Sequence, residues 1–339
     1  MDKNNKVLLT GVTGFLGSHI AIQLLNKGYT VIGTLRDMKR ASRLKEIISG
    51  YLSSTENLSF IEADLMDNHI WKEATKGIDY VIHTASPFPK NLPKRESDLI
   101  LPAKFGTLSI LRAASQNRCK RVVLTSSTAA IDHGVTKHKL FDENDWSDET
   151  NLIDNSPYFR SKTIAEKAAW DYVRSGKSKL ELVVINPGAM LGPVLEEDYG
   201  TSVALVKKML DGSMPALPKM GFSLVDVRSA ADMHIKALKT PNIHGQRFIC
   251  VDDFLTIKGV AMILKEKFPH RKIPTRELPD FVIKLFANFD PEVKPMLSEL
   301  GAKRQHTNKK AKKLLNWQPI SNKRSIIDTA DSLLQLNLI

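Results

Sequence analysis

Short apolar runs and longer stretches of helical period alternate from the beginning of the chain. Runs rich in Val, Ile and Leu fall at residues 6–10, 30–35, 58–62, 79–84, 120–126 and 180–186, with a seventh at 247–251. A short, nearly continuous apolar run bounded by turn residues marks a strand buried on both faces. Between these runs, residues 14–27, 41–52, 70–76, 99–117, 158–174 and 230–239 carry apolar positions three and four apart, the period of a helix with one buried face. Strands and helices in this alternation build βαβ units and a parallel sheet covered by helices on both sides. The pattern predicts an α/β fold: a doubly wound parallel sheet of about seven strands.

The alternation breaks where Pro and Gly crowd residues 187–221, and again where prolines punctuate 269–295. The expected division is a first domain of residues 1–186, rejoined by about 225–251. A smaller C-terminal lobe then comes from 187–224 and 252–339. A doubly wound sheet takes its ligand beyond the carboxyl ends of its strands, so a lobe inserted after the sixth strand would cap that ligand and form the substrate pocket.

The first strand runs straight into Thr10-Gly11-Val12-Thr13-Gly14-Phe15-Leu16-Gly17, and a helix follows. A glycine turn in this position lets backbone N–H groups approach a pyrophosphate, with the positive end of the helix dipole behind it. The segment Gly11, Thr13, Gly14, Phe15, Leu16 and Gly17 is therefore the expected dinucleotide site of a Rossmann domain. The residue ending the second strand selects the cofactor, since a carboxylate there bonds a free 2′-hydroxyl and repels a 2′-phosphate. Leu35 stands at that place, and Arg36 follows with Lys39, Arg40, Arg43 and Lys45 close behind. Arg36 is the expected bidentate contact to a 2′-phosphate and Arg43 the second, which points to NADPH. Lys39, Arg40 and Lys45 are read equally well as a solvated helix face, and Asp37 lies beyond the strand end. Asp64 and Leu65 are placed to bracket the adenine, a helix N-cap being the competing role of Asp64. After the fourth strand, Thr84, Ala85 and Ser86 are small enough for close approach to the cofactor, whereas His83 reads as a hydrogen-bonded core histidine.

Tyr158 and Lys162 stand four residues apart at the start of a helix, so phenol and ammonium share one face. The fifth strand ends at Thr125-Ser126-Ser127, on the side of the sheet where the cofactor is expected. Hydride transfer to a carbonyl carbon builds charge on the oxygen, which needs hydrogen-bond donors and then a proton. Tyr158 is the expected general acid, with Lys162 lowering its pKa from about 10 and bonding the nicotinamide ribose. Ser127 would hold the substrate oxygen, a strand-end turn being its alternative role.

Composition narrows the rest. The chain has 339 residues, 42% hydrophobic and 25% charged, with two cysteines and a net charge of +12. Two cysteines outside any paired-ligand spacing exclude a disulfide framework and a cysteine metal site, so no metal is expected. Neither a signal peptide nor a stretch of 18 apolar residues is legible, which predicts a cytoplasmic protein without a membrane span. The densest basic run, 303–313, continues into LLNW and reads as the solvated face of a late helix; no nucleic-acid module accompanies it, so no nucleic-acid partner is expected. The expected state is a monomer or homodimer acting on a small molecule.

The series TGVTGFLG, TLRD, VIHTASP, LPAKFGT, VVLTSSTAA, DENDWSD, YFRSK, NPGAMLGP and DVRSAADMHIKAL, in this order, resembles the extended short-chain dehydrogenases. It is most similar to the branch of dihydroflavonol 4-reductase, cinnamoyl-CoA reductase and yeast methylglyoxal (aldehyde) reductase. The resemblance covers nearly the whole chain. It implies that Ser127, Tyr158 and Lys162 form the catalytic triad, that Arg36 and Arg43 contact the 2′-phosphate, and that Pro187 and Gly188 lie beside the nicotinamide. Asp132 stands where the flavonoid reductases carry asparagine, and residues 155–162 lack the Trp and Cys of the cinnamoyl-CoA reductase signature; both argue against those substrates. Ala103 replaces the active-site asparagine of many other short-chain dehydrogenases, as is general in this branch. The pocket would draw on Phe88, Asp132, Met190, Leu191 and residues 199–206. The function implied is NADPH-dependent reduction of an aldehyde or ketone. The alternatives are a sugar-nucleotide epimerase or dehydratase, against which Leu35-Arg36 argues, and a non-catalytic NADP(H) sensor, which would not need the triad.

Overall fold

A computed structural model describes residues 5–87, 95–176, 178–286 and 294–339. The chain begins with β1 (Lys6–Thr10), α1 (Phe15–Asn26), β2 (Thr30–Leu35), α2 (Ala41–Ser49), β3 (Leu58–Glu62), α3 (Asn68–Ala74), β4 (Tyr80–His83) and α4 (Ser97–Gln116). It continues through β5 (Arg121–Thr125), β6 (His138–Phe141), α5 (Pro157–Arg174), β7 (Glu181–Pro187), β8 (Ala189–Leu191), α6 (Thr201–Leu210), β9 (Gly221–Asp226) and α7 (Val227–Lys239). The last part holds β10 (Gln246–Cys250), β11 (Asp253–Thr256), α8 (Ile257–Lys267), α9 (Asp280–Phe286), β12 (Lys303–His306), α10 (Lys309–Leu315) and α11 (Asn322–Gln335).

All seven apolar runs lie in one sheet of order β10-β7-β5-β4-β1-β2-β3, and every neighbouring pair is parallel. Alternate residues of each strand enter different cores. Val7 and Leu9 pack with Ile20, Leu24, Ile48 and Met233 on the side of α1, α2 and α7. Leu8 faces the other way, onto Trp71, Ile110 and Trp170 from α3, α4 and α5. This two-sided burial is why the strands read as continuous apolar runs, and each fully buried Val, Leu or Ile contributes about 1.5–3 kcal/mol of transfer free energy. The strand order reverses between β1 and β4, whose carboxyl ends open a crevice.

Strands β8, β9 and β11 form a second, three-stranded sheet. With Val203, Val206, Val260, Leu264, Ile326 and Leu333 it builds a separate core beside that crevice. Residues 309–317 depart from the expected division of the chain. Ala311, Leu315 and Trp317 belong to the α1–α7 core, and the Trp317 indole donates to the Ser229 carbonyl at 2.8 Å.

The basic run at 303–313 is not one helix face. Its first part is β12, paired in parallel with β6 in the register Lys303↔His138, and only 309–315 is helical. Arg304 is 4% exposed, and its guanidinium donates to four oxygens of three residues. It bonds both Asp154 oxygens at 2.8 Å, Glu299 at 2.8 Å and the Asp132 carbonyl at 3.0 Å. Removing one member of a buried ion cluster strands the others, at a cost of about 3–5 kcal/mol. Arg304→Met should accordingly lower the urea-unfolding free energy by about that amount, whereas the exposed neighbour Lys303→Ala should stay within about 0.5 kcal/mol of wild type. Equal stability of the two variants would show that the cluster carries no such load.

Candidate active site

The crevice is lined first by the glycine turn. Gly11 has φ of +70°, and a Cβ there would stand 3.0 Å from the Ala85 backbone and the Thr84 hydroxyl. At Gly17 a Cβ would fall 2.1 Å from the Gly11 carbonyl oxygen, so α1 can start this close to the turn only without a side chain. The ends of β1 and β4 are tied together across the crevice. Thr84 donates to the Thr10 carbonyl at 2.6 Å, and the Ala85 amide donates to the Thr10 hydroxyl at 3.1 Å. His83 Nδ1 lies 2.7 Å from that same hydroxyl; burial pushes its pKa down to about 3, so it is a neutral core histidine. Thr13 and Phe15 are half-buried and Leu16 is buried. Phe15 packs edge-on against His19, whose Nε2 meets the Pro193 carbonyl at 2.9 Å and so joins α1 to the lobe.

Leu35 is buried at the end of β2 and Arg36 is exposed directly after it. Arg43 pairs with Glu46 at 2.9 Å in a solvated i, i+3 contact, leaving it free to exchange partners. Arg40 behaves differently from Lys39 and Lys45: it reaches Glu196 at 3.0 Å and Asp198 at 2.9 Å in the segment after β8. Asp37 caps the following helical turn by accepting from the Lys39 amide at 2.9 Å. Asp64 is exposed and accepts from the Met66 amide at 2.8 Å. It does not cap α3, because Asp67 holds that position. Leu65 rests on Gly106, where a Cβ would come within 3.0 Å of its side chain.

Tyr158 and Lys162 stand at the start of α5, which Ser156 caps and Pro157 opens. The Tyr158 hydroxyl is hydrogen-bonded to Ser127, and Lys162 Nζ lies 5.8 Å from the phenol ring. Ser127 also fills its alternative role: its Oγ accepts from the Ala129 amide at 3.1 Å and caps a helical turn. That leaves the Ser127 proton for another oxygen. Burial pushes the phenol up to about 12, against the pull of the Ser127 bond, and pushes Lys162 down to about 8, against the pull of Glu166. Desolvation therefore raises the Tyr158 pKa where the sequence predicts that Lys162 lowers it, and the phenol is held protonated. The Thr125 hydroxyl donates to His234 Nε2 at 2.8 Å, on the α7 side of the sheet, so it is committed within the fold.

Beyond β7, Pro187 is buried, and Gly188 passes so near the Ser223 carbonyl that a Cβ would stand 2.1 Å from it. Met190 is half-buried, but Leu191 and, on α6, Val203 and Val206 are each no more than 2% exposed in the lobe core. These three do not line an open pocket; the pleat of β8 and the buried face of α6 turn them inward. Asp132 is also misread as a pocket residue. It is 4% exposed, 2.6 Å from His133 Nδ1 and 3.1 Å from His306 Nε2. Phe88 lies outside the described residues.

Two buried polar clusters escape sequence reasoning. One joins Asp132, His133 and His306 to Glu299, Arg304 and Asp154, and the His133 ring stacks on Phe159, the neighbour of Tyr158, with centroids 3.7 Å apart. The other centres on Glu166, one helical turn after Lys162, which pairs with Arg247 at 2.6 Å. The available signals were weak: Glu166 sits on the buried face of an amphipathic helix, and Arg247 at the head of an apolar strand. Among the described residues no group of His, Cys, Asp and Glu is arranged to hold a metal, and no helix is long and apolar enough to cross a membrane.

Residues 7–250 match the NAD dependent epimerase/dehydratase family. Cinnamoyl-CoA reductase 1 of Petunia hybrida is 35% identical over 276 residues, 80% of this chain and 79% of that protein. Dihydroflavonol 4-reductase of Zea mays is 30% identical over 281 residues, 81% of this chain and 78% of that protein. The solved structure of yeast methylglyoxal/isovaleraldehyde reductase complexed with NADPH aligns with a TM-score of 0.79 at 29% identity, covering 98% of this chain and 99% of that one.

Asp132 and Glu299 hold the His133 pKa up to about 9, above its ordinary 6.5, although burial alone would lower it. A raised folded value means that the stabilisation is complete below about pH 6.5 and is lost as pH rises through about 9. Thermal melts of wild type should therefore decline between these limits, and the decline should flatten in His133→Gln. Parallel curves for the two proteins would refute the assignment.

Proposed function

The chain belongs to the NAD dependent epimerase/dehydratase family, and from that premise we propose that it is an NADPH-dependent carbonyl reductase acting on an aldehyde or ketone. The observation that carries this reading is the contact of a protonated, half-buried Tyr158 with Ser127 beside Lys162, in a fold whose glycine turn admits no Cβ at Gly11 or Gly17. The residues present fit a dinucleotide. Gly11, Thr13, Gly14 and Gly17 would take the pyrophosphate, Arg36 and Arg43 the 2′-phosphate, and Asp64 and Leu65 the adenine. Thr84, Ala85, Ser86, Pro187 and Gly188 would border the nicotinamide, with Lys162 on its ribose. The reduced nicotinamide supplies hydride to the carbonyl carbon when bound.

The protein's own groups manage the oxygen. The Ser127 hydroxyl, with its acceptor side taken by the Ala129 amide, donates to the developing alkoxide. Tyr158, held protonated by burial, gives up its proton there. The Lys162 ammonium stabilises the phenolate left behind, an interaction strengthened by the low local dielectric. The named activities of the relatives support carbonyl reduction, and the Leu35-Arg36 strand end supports the phosphorylated cofactor.

NADPH should bind at least about tenfold more tightly than NADH, equivalent to about 1.4 kcal/mol, and Arg36→Asp should abolish or reverse the preference. Fluorescence titration with both cofactors measures this, and equal dissociation constants in wild type would remove the role given to Arg36.

Tyr158→Phe keeps the ring and removes the donor, so aldehyde reduction should fall by about 10² to 10⁴ with NADPH affinity little changed. Ser127→Ala should lower turnover by about 10² or more, and Lys162→Ala should damage turnover and cofactor affinity together. Steady-state rates on a panel of aldehydes, measured beside NADPH affinity, separate the three roles. A Tyr158→Phe variant reducing an aldehyde at near wild-type rate would require another proton donor.

A further inference from the structure

A carboxylate in the middle of α5 has no water to turn to. The Glu166 side chain is fully buried, and such a charge persists only when paired and hydrogen-bonded on every side. It accepts from Arg247 Nε at 2.6 Å, Ser126 Oγ at 2.5 Å, Asn186 Nδ2 at 2.8 Å and Trp170 Nε1 at 3.2 Å. These donors come from four elements: β10, the end of β5, β7 and α5 itself.

Two of these partners, Asn186 and Arg247, reach onward to neighbouring backbone. Asn186 Nδ2 also donates to the Ser127 carbonyl at 3.1 Å. Arg247 donates to the Ala130 carbonyl at 3.4 Å in the turn that follows Ser127, and to the carbonyls of Asp145 at 2.7 Å and Glu143 at 3.2 Å in the segment after β6, so it ties these two segments together. Glu166 stands one turn beyond Lys162 on the same helix, and both border a cavity of about 10 Å³ with Ser126 and Thr107, space for no more than one water. A buried ion pair is a weak source of stability compared with apolar packing of the same volume, so this arrangement calls for a geometric role.

On the reading that the enzyme is a carbonyl reductase, we infer that Glu166, gripped by Arg247, is a positioning residue that fixes Ser127 and Lys162 relative to Tyr158. It does so by two routes. The hydrogen bonds to Ser126 and Asn186 set where the Ser127 turn leaves β5. The negative charge acts on the ammonium of Lys162, whose other titratable neighbours are Tyr158 on α5 and neutral His83 on β4.

Glu166→Gln, Glu166→Asp and Asn186→Ala distinguish the two routes. Glu166→Gln should lower kcat about tenfold to a hundredfold, the scale of a misplacement of up to about 1 Å, while KM for NADPH changes less than about twofold. The alkaline limb of its kcat profile should move to lower pH, because Lys162 loses the charge that helps it hold its proton. Glu166→Asp keeps that charge on a shorter arm, so its limb should stay in place while kcat falls. Asn186→Ala removes the link to the Ser127 carbonyl and should lower kcat about tenfold with the limb unmoved; it decides the matter should Glu166→Gln not fold. A folded Glu166→Gln with wild-type kcat and pH profile would overturn the inference, as would a wild-type kcat in Asn186→Ala. Wild-type turnover of aldehydes tests the functional reading by itself. Hydrogen exchange of amides 126–131, followed without substrate, tests the positioning even in an inactive protein: faster exchange in Glu166→Gln is expected, and unchanged protection would overturn it.

Discussion

A parallel sheet whose strand order reverses must leave a gap at the reversal, because the connections on either side of it lead away in opposite directions. In this chain the gap lies between β1 and β4. Everything chemical is arranged around it. The glycine turn closes one wall and the Thr84-Ala85-Ser86 segment the other, and the Thr10 hydroxyl bridges them through His83 and the Ala85 amide. The ends of β5 and β7 then bring Ser127 and Pro187 to the same edge, where α5 and the lobe meet them.

Burial decides the electrostatics of that edge. Exposed pairs such as Arg43–Glu46 contribute little and exchange easily, whereas Lys162 and Glu166 are buried and Tyr158 half-buried. Tyr158 is kept neutral, Lys162 is brought near the point of losing its proton, and Glu166 is held by Arg247 at 2.6 Å. One helix therefore carries a phenol, an amine and a carboxyl group at successive turns, each with different partners because of what the sheet beneath it offers.

The sheet was legible because a strand buried on both faces leaves a continuous apolar run, as at 6–10 and 120–126. The glycine turn was legible because Gly11 and Gly17 answer to steric limits that hold in any sequence. Partners separated by long stretches of chain were not. Arg304 reads as one cation of a basic run until Asp154 and the Asp132 carbonyl are brought to it from 150 and 172 residues away. Asp132 reads as a pocket residue until His306 covers it. Leu191 and Val203 were apolar as a pocket requires, but apolarity does not tell a pocket wall from a lobe core.

Arg40 couples two parts of the molecule that are usually considered apart. It stands in the basic cluster after β2, yet its guanidinium is held by Glu196 and Asp198 from the segment after β8. A protein engineer who rewrites this cluster to change the cofactor would also be cutting a fastening of the lobe. A change at position 40 thus falls on two regions of the fold at once, the turn after β2 and the segment that follows β8.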